Sequence, residues 1–188
     1  HIVFCVDRAG LVGNDGETHH GVFDVSYLSS VPNMKILCPA SFAELEAMLD
    51  MAVNRLDGPV AIRYPRGGEG LYRDCLTEAS SVIRSGSDIT LIAYGITVNS
   101  MIQVADMLAD DGISAEIVKL GMIKPLYPGD AIAGMKKTGR VLIAEEAAAA
   151  GSVGIQLLAE AAKNGVTVKA EICNLGEGIA AHGSVDEL

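Results

Sequence analysis

Residues 2–24 read Ile2-Val-Phe-Cys-Val-Asp7-Arg-Ala-Gly-Leu-Val-Gly-Asn-Asp-Gly-Glu-Thr-His-His-Gly-Val-Phe-Asp24. The apolar run Ile2–Val6 predicts a strand. It empties into a loop holding Gly10, Gly13, Gly16 and Gly21, residues that let a backbone turn sharply and come close to a ligand. Arg8 just before the glycines, and Asp15, Glu17, His19 and His20 between them, supply a cation, two acids and two imidazoles able to carry a proton. Phe23, Tyr27 and Leu28 then fall at helical spacing. A strand, a chemically equipped loop at its C-terminal end and a helix form the unit of an open α/β sheet, where ligands collect beyond the carboxyl ends of strands.

The unit recurs further on. Pro32-Asn33 turns the chain into a strand over Met34–Cys38. Ser41 with Glu44 three residues later forms a capping box, opening a helix to about Arg55 with Phe42, Leu45, Met48, Leu49 and Ala52 on one face. Asp57-Gly58-Pro59 stops it, and a third strand, Val60–Tyr64, runs into Arg63-Tyr-Pro-Arg66-Gly-Gly68. Residues 71–87 read as a polar linker with one short strand near Val82–Arg84.

From Ile89 a second α/β pattern begins. Strands at Ile89–Tyr94, Ala115–Lys119, Val141–Glu145 and Val166–Cys173 alternate with helices at Val98–Asp110, Gly129–Lys137 and Gly151–Asn164, which implies parallel strands joined by right-handed crossovers. Residues 121–128 read as a loop, and an Asn174–Gly183 loop with a helical stub closes the chain. The fold class is α/β, in two pieces with mostly parallel sheets, divided as 1–75 and 76–188.

Composition agrees. Hydrophobic residues make up 49% of the chain and aromatic ones only 4%, with no Trp. Val/Ile strands between Ala-rich helices suit a parallel sheet covered on both faces. A formal charge of -10 argues against nucleic acid or an anionic membrane as partner. No apolar run approaches the ~18 residues of a membrane span, and no basic, signal-like N-terminus is present, so a cytoplasmic location is expected. The four cysteines show no zinc spacing and are expected to be buried reduced thiols. No metal site is assigned. The start next to a strand reads as that of a fragment.

The chemistry gathers at two loops. Arg8 and Arg66 both follow strand ends, and a parallel sheet can bring them to one edge as a bidentate site for phosphate or carboxylate. Asp15 and His19 on the neighbouring loop can hydrogen-bond hydroxyls or move a proton. That outlines a sugar-phosphate site; on spacing alone, arginines serving as surface salt-bridge partners remain an equal reading. Glu145-Glu146 reads either as an acid/base carboxylate pair or as strand-end carboxylates at a domain or subunit contact. Gly151-Ser-Val-Gly154 can offer free helix N–H groups to an anion, and His182-Gly-Ser184 reads as a turn and N-cap.

The runs Asp7-Arg-Ala-Gly-x-Val-Gly-x-Asp-Gly-x-Thr-His-His-Gly21, Asp24-Val-Ser-Tyr-Leu28, Val31-Pro-Asn-Met34 and Gly58-Pro-x-Ala-Ile-Arg-Tyr-Pro-Arg-Gly67 closely resemble the 1-deoxy-D-xylulose-5-phosphate synthase family of transketolase-like thiamine diphosphate enzymes. The likeness continues more loosely through Lys124-Pro-Leu126, Glu145-Glu146 and His182-Gly-Ser184. It implies a partial pyrimidine-binding domain followed by a transketolase C-terminal-like domain, in a homodimer. It further implies a transferase that decarboxylates pyruvate and passes the two-carbon unit to glyceraldehyde 3-phosphate, in isoprenoid-precursor and thiamine biosynthesis. Arg8 and Arg66 match the family's acceptor-phosphate arginines, His19 a histidine that assists proton transfer, and Asp15 an acid near the acceptor hydroxyls.

The resemblance also implies what lies elsewhere. The thiamine diphosphate and Mg²⁺ ligands and the activating glutamate belong to parts upstream of this chain, so its cofactor-binding residues are unknown and the chain alone is expected to be inactive. Asn14-Asp15-Gly16 departs from the Gly-Asp-Gly of such metal sites at its first residue. Ala147–Ala150 departs from the usual Asn and glycines. A non-catalytic assembly module, or the beta-type chain of a split thiamine diphosphate enzyme, is the alternative.

Overall fold

The computed structural model describes residues 1–184 and 187. In the first sheet, β1 (Ile2–Val6) and β2 (Lys35–Leu37) flank β3 (Pro59–Arg63), all parallel. The second sheet has β4 (Ser80–Arg84), β6 (Ala115–Leu120), β5 (Ile89–Tyr94), β8 (Arg140–Ala144) and β9 (Lys169–Cys173) side by side in that order. All of its strands are parallel except β4, which runs antiparallel to β6 at the edge. Helices α1 (Asp24–Ser30), α2 (Phe42–Asn54), α3 (Thr97–Asp110), α4 (Gly129–Thr138) and α5 (Val153–Lys163) complete the mixed α/β architecture. The helical stub expected at the end falls on residues 185–188, of which only Glu187 is described.

The sheets share more than a linker. Residues 121–128, expected as a loop, contain β7 (Met122–Lys124), which adds to the first sheet antiparallel to β2. A three-residue strand is too short to display a period of two. Its pairing is fixed by tertiary contacts: Ile123 is buried, Cys38 N–H donates to Gly121 O at 2.9 Å, and Lys124 Nζ donates to Ser29 O and Val31 O at 2.5 Å each. One apolar core joins Ile36, Cys38 and Ala61 of the first sheet to Ile92, Val118 and Ile143 of the second.

α2 differs from the expected arrangement in two ways. Its buried stripe is Glu44, Met48 and Ala52, spaced four apart, so Phe42 and Leu49 point outward. Ser41 does cap the helix, its Oγ accepting from Glu44 N–H at 3.1 Å. The Glu44 carboxylate, however, does not close the box. It is fully buried and accepts from Ala40 N–H (2.9 Å), Tyr72 OH (2.8 Å), Leu76 N–H (3.2 Å) and Lys119 Nζ (2.8 Å). Lys119, also fully buried, donates to Leu76 O at 3.0 Å. Each charge is surrounded by partners, as burial of an ion pair demands. Helix, connecting segment and β6 are thereby tied at one point.

Of the cysteines expected to be buried, only Cys38 is; Cys5, Cys75 and Cys173 are exposed, and all four are free. Cys5 lies on the edge strand β1 and Cys173 at the end of the edge strand β9, which leaves each an open side.

Candidate functional site

β1 and β3 are neighbours and parallel, so the loops after them open at the same sheet edge. Arg8 and Arg66 both reach Asp15 there. Arg8 Nε donates to Asp15 Oδ2 at 2.9 Å, and Arg66 Nη1 donates to Asp15 Oδ1. Asp7 pairs with the other side of Arg8. The arginine side chains are 39% and 56% exposed, against 19% for Asp15, so the cations remain open to a ligand. The Arg66 hydrogen bond first, and the Arg8 one second, hold the Asp15 carboxyl below the usual carboxylate range. The same bond to Asp15, with the charge of Asp7, raises the Arg8 guanidinium.

The loop carrying Asp15 is pinched at its neck. Gly10 N–H donates to Gly21 O at 2.8 Å, and Gly21 N–H reaches Arg8 O at 3.1 Å and Gly10 O at 2.9 Å. A side chain at Gly21 would overlap the Arg8 carbonyl, so the neck requires glycine. Arg8 itself has φ 58°, in the left-handed region that residues with a Cβ seldom enter. Beyond the neck, Gly13–Asp15 forms a short 3-10 turn that projects Asp15.

The two histidines take different places. His20 is buried; its Nδ1 accepts from Val12 N–H at 3.1 Å, which leaves the proton on Nε2 to donate to Ala181 O at 3.2 Å. His19 is exposed on the loop beside Thr18, with Nδ1 3.0 Å from the hydroxyl, and takes no part in the Arg–Asp cluster. Arg8, Asp15 and Arg66 are thus brought together, and His19 lies on the rim.

Three residues carry more than the sequence reading gave them. Arg63, buried at the end of β3, donates from Nε to Asp24 at 2.8 Å, and from Nη2 to Gly21 O at 2.8 Å and Glu146 O at 2.7 Å. Glu145 is buried and accepts from Tyr94 OH and Val153 N–H at 3.0 Å each, and from Ser152 Oγ. Glu146 accepts from Leu11 N–H at 2.9 Å, and burial raises its carboxyl. The two glutamates therefore make contacts within and between the sheets. Glu145 and Ser152 also accept from the N–H groups of Val153 and Ile155, so two of the N–H groups at the start of α5 are satisfied internally. The available signal was a charged residue closing an apolar strand, Arg63 after Val60–Ile62 and Glu145 after Val141–Ala144.

Residues 1–69 match the family model of the transketolase pyrimidine binding domain, and residues 78–188 that of the transketolase C-terminal domain. The chain belongs to the transketolase family. This transketolase-family chain is 36% identical to a 1-deoxy-D-xylulose-5-phosphate synthase of Gloeothece citriformis, over 99% of this chain and 30% of that protein. It is 41% identical to 1-deoxy-D-xylulose-5-phosphate synthase 1 of Geobacter sulfurreducens, over 89% of this chain and 28% of that one. Among solved structures it resembles a "Split gene transketolase, inactive beta4 tetramer", with TM-score 0.81 and 27% identity, covering 93% of this chain and 57% of that one. The chain spans about 30% of the length of the synthases it matches.

The transketolase family implies thiamine diphosphate in the whole protein. Among the described residues no group of three or more His, Cys, Asp or Glu side chains is placed to hold a metal ion. Among the described residues no helix is long and apolar enough to cross a membrane.

Proposed function

We propose that the chain is the C-terminal part of a 1-deoxy-D-xylulose-5-phosphate synthase. Its parent joins pyruvate, with loss of CO2, to glyceraldehyde 3-phosphate, in isoprenoid-precursor and thiamine biosynthesis. The observation that carries this reading is the grip of Arg8 and Arg66 on one carboxylate, Asp15. Two guanidiniums that each donate to one oxygen of a carboxylate can likewise donate to two oxygens of a phosphate monoester. Residues 1–75 then form part of a pyrimidine-binding domain and 76–188 the C-terminal domain, a division supported by the two family-model matches.

Each residue has a role in this reading. Arg8 and Arg66 bind the acceptor phosphate, which displaces Asp15. The released carboxylate accepts a hydrogen bond from an acceptor hydroxyl. His19, exposed on the rim, exchanges a proton with the acceptor oxygen as the new carbon–carbon bond forms. Thiamine diphosphate and Mg²⁺ are held by parts of a cytoplasmic homodimer other than this chain, which alone is inactive. Turnover by the 188-residue chain supplied with both would overturn that last point.

The test uses the full-length protein with both substrates. Arg66→Ala is expected to raise the KM for glyceraldehyde 3-phosphate and leave that for pyruvate little changed, whereas His19→Ala lowers kcat. Unchanged kinetics in folded variants would reduce both loops to scaffold. A second reading, a beta-type chain that assembles with a separate partner, is favoured by the likeness to the split-gene beta tetramer. Activity appearing only on mixing with a second polypeptide would select it.

A further inference from the structure

We infer that Glu146 is a positioning residue for the phosphate-binding loop, an inference that rests on the phosphate reading of Arg8 and Arg66. The loop between Gly10 and Gly21 is held at both sides of its neck by one short segment after β8. At the near side, Glu146 Oε2 accepts from Leu11 N–H at 2.9 Å. At the far side, Arg63 Nη2 donates to Gly21 O at 2.8 Å and to the Glu146 carbonyl at 2.7 Å. Leu11 precedes the 3-10 turn that ends in Asp15, so a shift at Leu11 is passed along a few residues to the carboxylate that both arginines hold.

An independent observation supports a built contact. A side chain at Gly10 would overlap Glu146 Oε2, and Gly10 has φ +85°, so the loop passes this carboxylate at a position that only glycine fits. The contact is also desolvated, since burial raises the Glu146 carboxyl. Glu146 comes from the second sheet and Asp15 from a loop of the first, so the second sheet sets the geometry of a site it does not line. Misplacing a binding group by a small distance is enough to weaken oriented binding.

The experiment compares Glu146→Leu, which keeps the shape and removes the acceptor, with Glu146→Gln, which keeps an acceptor oxygen, in the full-length protein. Glu146→Leu is expected to raise the KM for glyceraldehyde 3-phosphate about tenfold with the pyruvate KM unchanged, and Glu146→Gln to stay within about twofold of wild type. Arg66→Ala is the control. If it raises that KM and Glu146→Leu does not, the positioning role is wrong and the phosphate reading stands. If neither variant does, both are wrong. Should Glu146→Leu fail to fold, hydrogen exchange of the wild-type Leu11 amide decides: slow exchange supports the anchor, and exchange at the rate of the exposed loop amides overturns it.

Discussion

Arg8 Nε meets Asp15 Oδ2 at 2.9 Å, while the other oxygen of the same carboxylate takes Arg66. Two residues from loops distant in sequence thus share one anion, with the guanidiniums more open to solvent than the carboxylate between them. In the proposed reading, Asp15 occupies the place that the acceptor phosphate takes.

Removing that internal anion frees the cations. Asp15→Asn is expected to tighten inorganic phosphate binding by about two- to fivefold, the range of a partly exposed ion pair, while lowering turnover in the full-length protein. Calorimetric titration with phosphate reads the first effect and steady-state assay the second; weaker phosphate binding would show that Asp15 orients the arginines rather than competing for them.

The pH dependence has a definite sign. The arginines depress the folded-state carboxyl of Asp15 below its ordinary value of 3.8. Its contribution to stability is therefore present above that value and lost as pH falls through the lowered one. Glu146 runs the other way: burial raises its folded-state carboxyl above 4.5, so ionising it as pH rises through the folded value opposes folding. Glu146→Gln is expected to melt higher than wild type at pH 7, with the gain shrinking on acidification towards 4.5. Thermal scans across pH check this, and a constant or inverted difference would contradict it.

The buried pair between Lys119 and Glu44 predicts an asymmetric mutational response. Lys119→Met strands a carboxylate in a site sealed from solvent and is expected to cost about 3–5 kcal/mol, whereas adding Glu44→Gln should restore much of that loss. Urea unfolding of the single and double variants measures the coupling. Additive losses would mean the pair holds the sheets together less than its geometry implies.

Thiol chemistry separates the cysteines. Burial pushes the Cys38 thiol up to about 12, so it is expected to resist iodoacetamide in the folded chain while Cys5, Cys75 and Cys173 react. Mass spectrometry with and without denaturant counts the labels. Rapid modification of Cys38 in native buffer would mean that the core around β2 opens readily.

Much of this was legible in the sequence, for physical reasons. Period and punctuation mark β3, β5 and β8, because a buried strand must be a short apolar run bounded by turn residues; β1 carries the same apolar run although it is an edge strand and mostly exposed. Adjacency of Arg8 and Arg66 followed from placing both after parallel strands. β7 was not legible, since Met122-Ile-Lys124 carries no local signal and is a strand only through pairing with β2. Glu44 looked like half of a capping box because its spacing from Ser41 is right; its real partners, Tyr72, Leu76 and Lys119, are brought to it by the tertiary fold. The roles of Arg63 and Glu146 were hidden for the same reason. Loop anchors formed across two sheets leave no periodic trace.

The central claim is that Arg8 and Arg66 recognise a phosphoryl group. Its most direct test is the difference in affinity between D-glyceraldehyde 3-phosphate and D-glyceraldehyde, measured calorimetrically on the full-length protein and on Arg66→Ala. The account predicts that wild type strongly prefers the phosphorylated aldehyde and that most of this preference disappears in the variant. Equal affinity for the two aldehydes in wild type, or a preference unchanged in a folded Arg66→Ala, would contradict it.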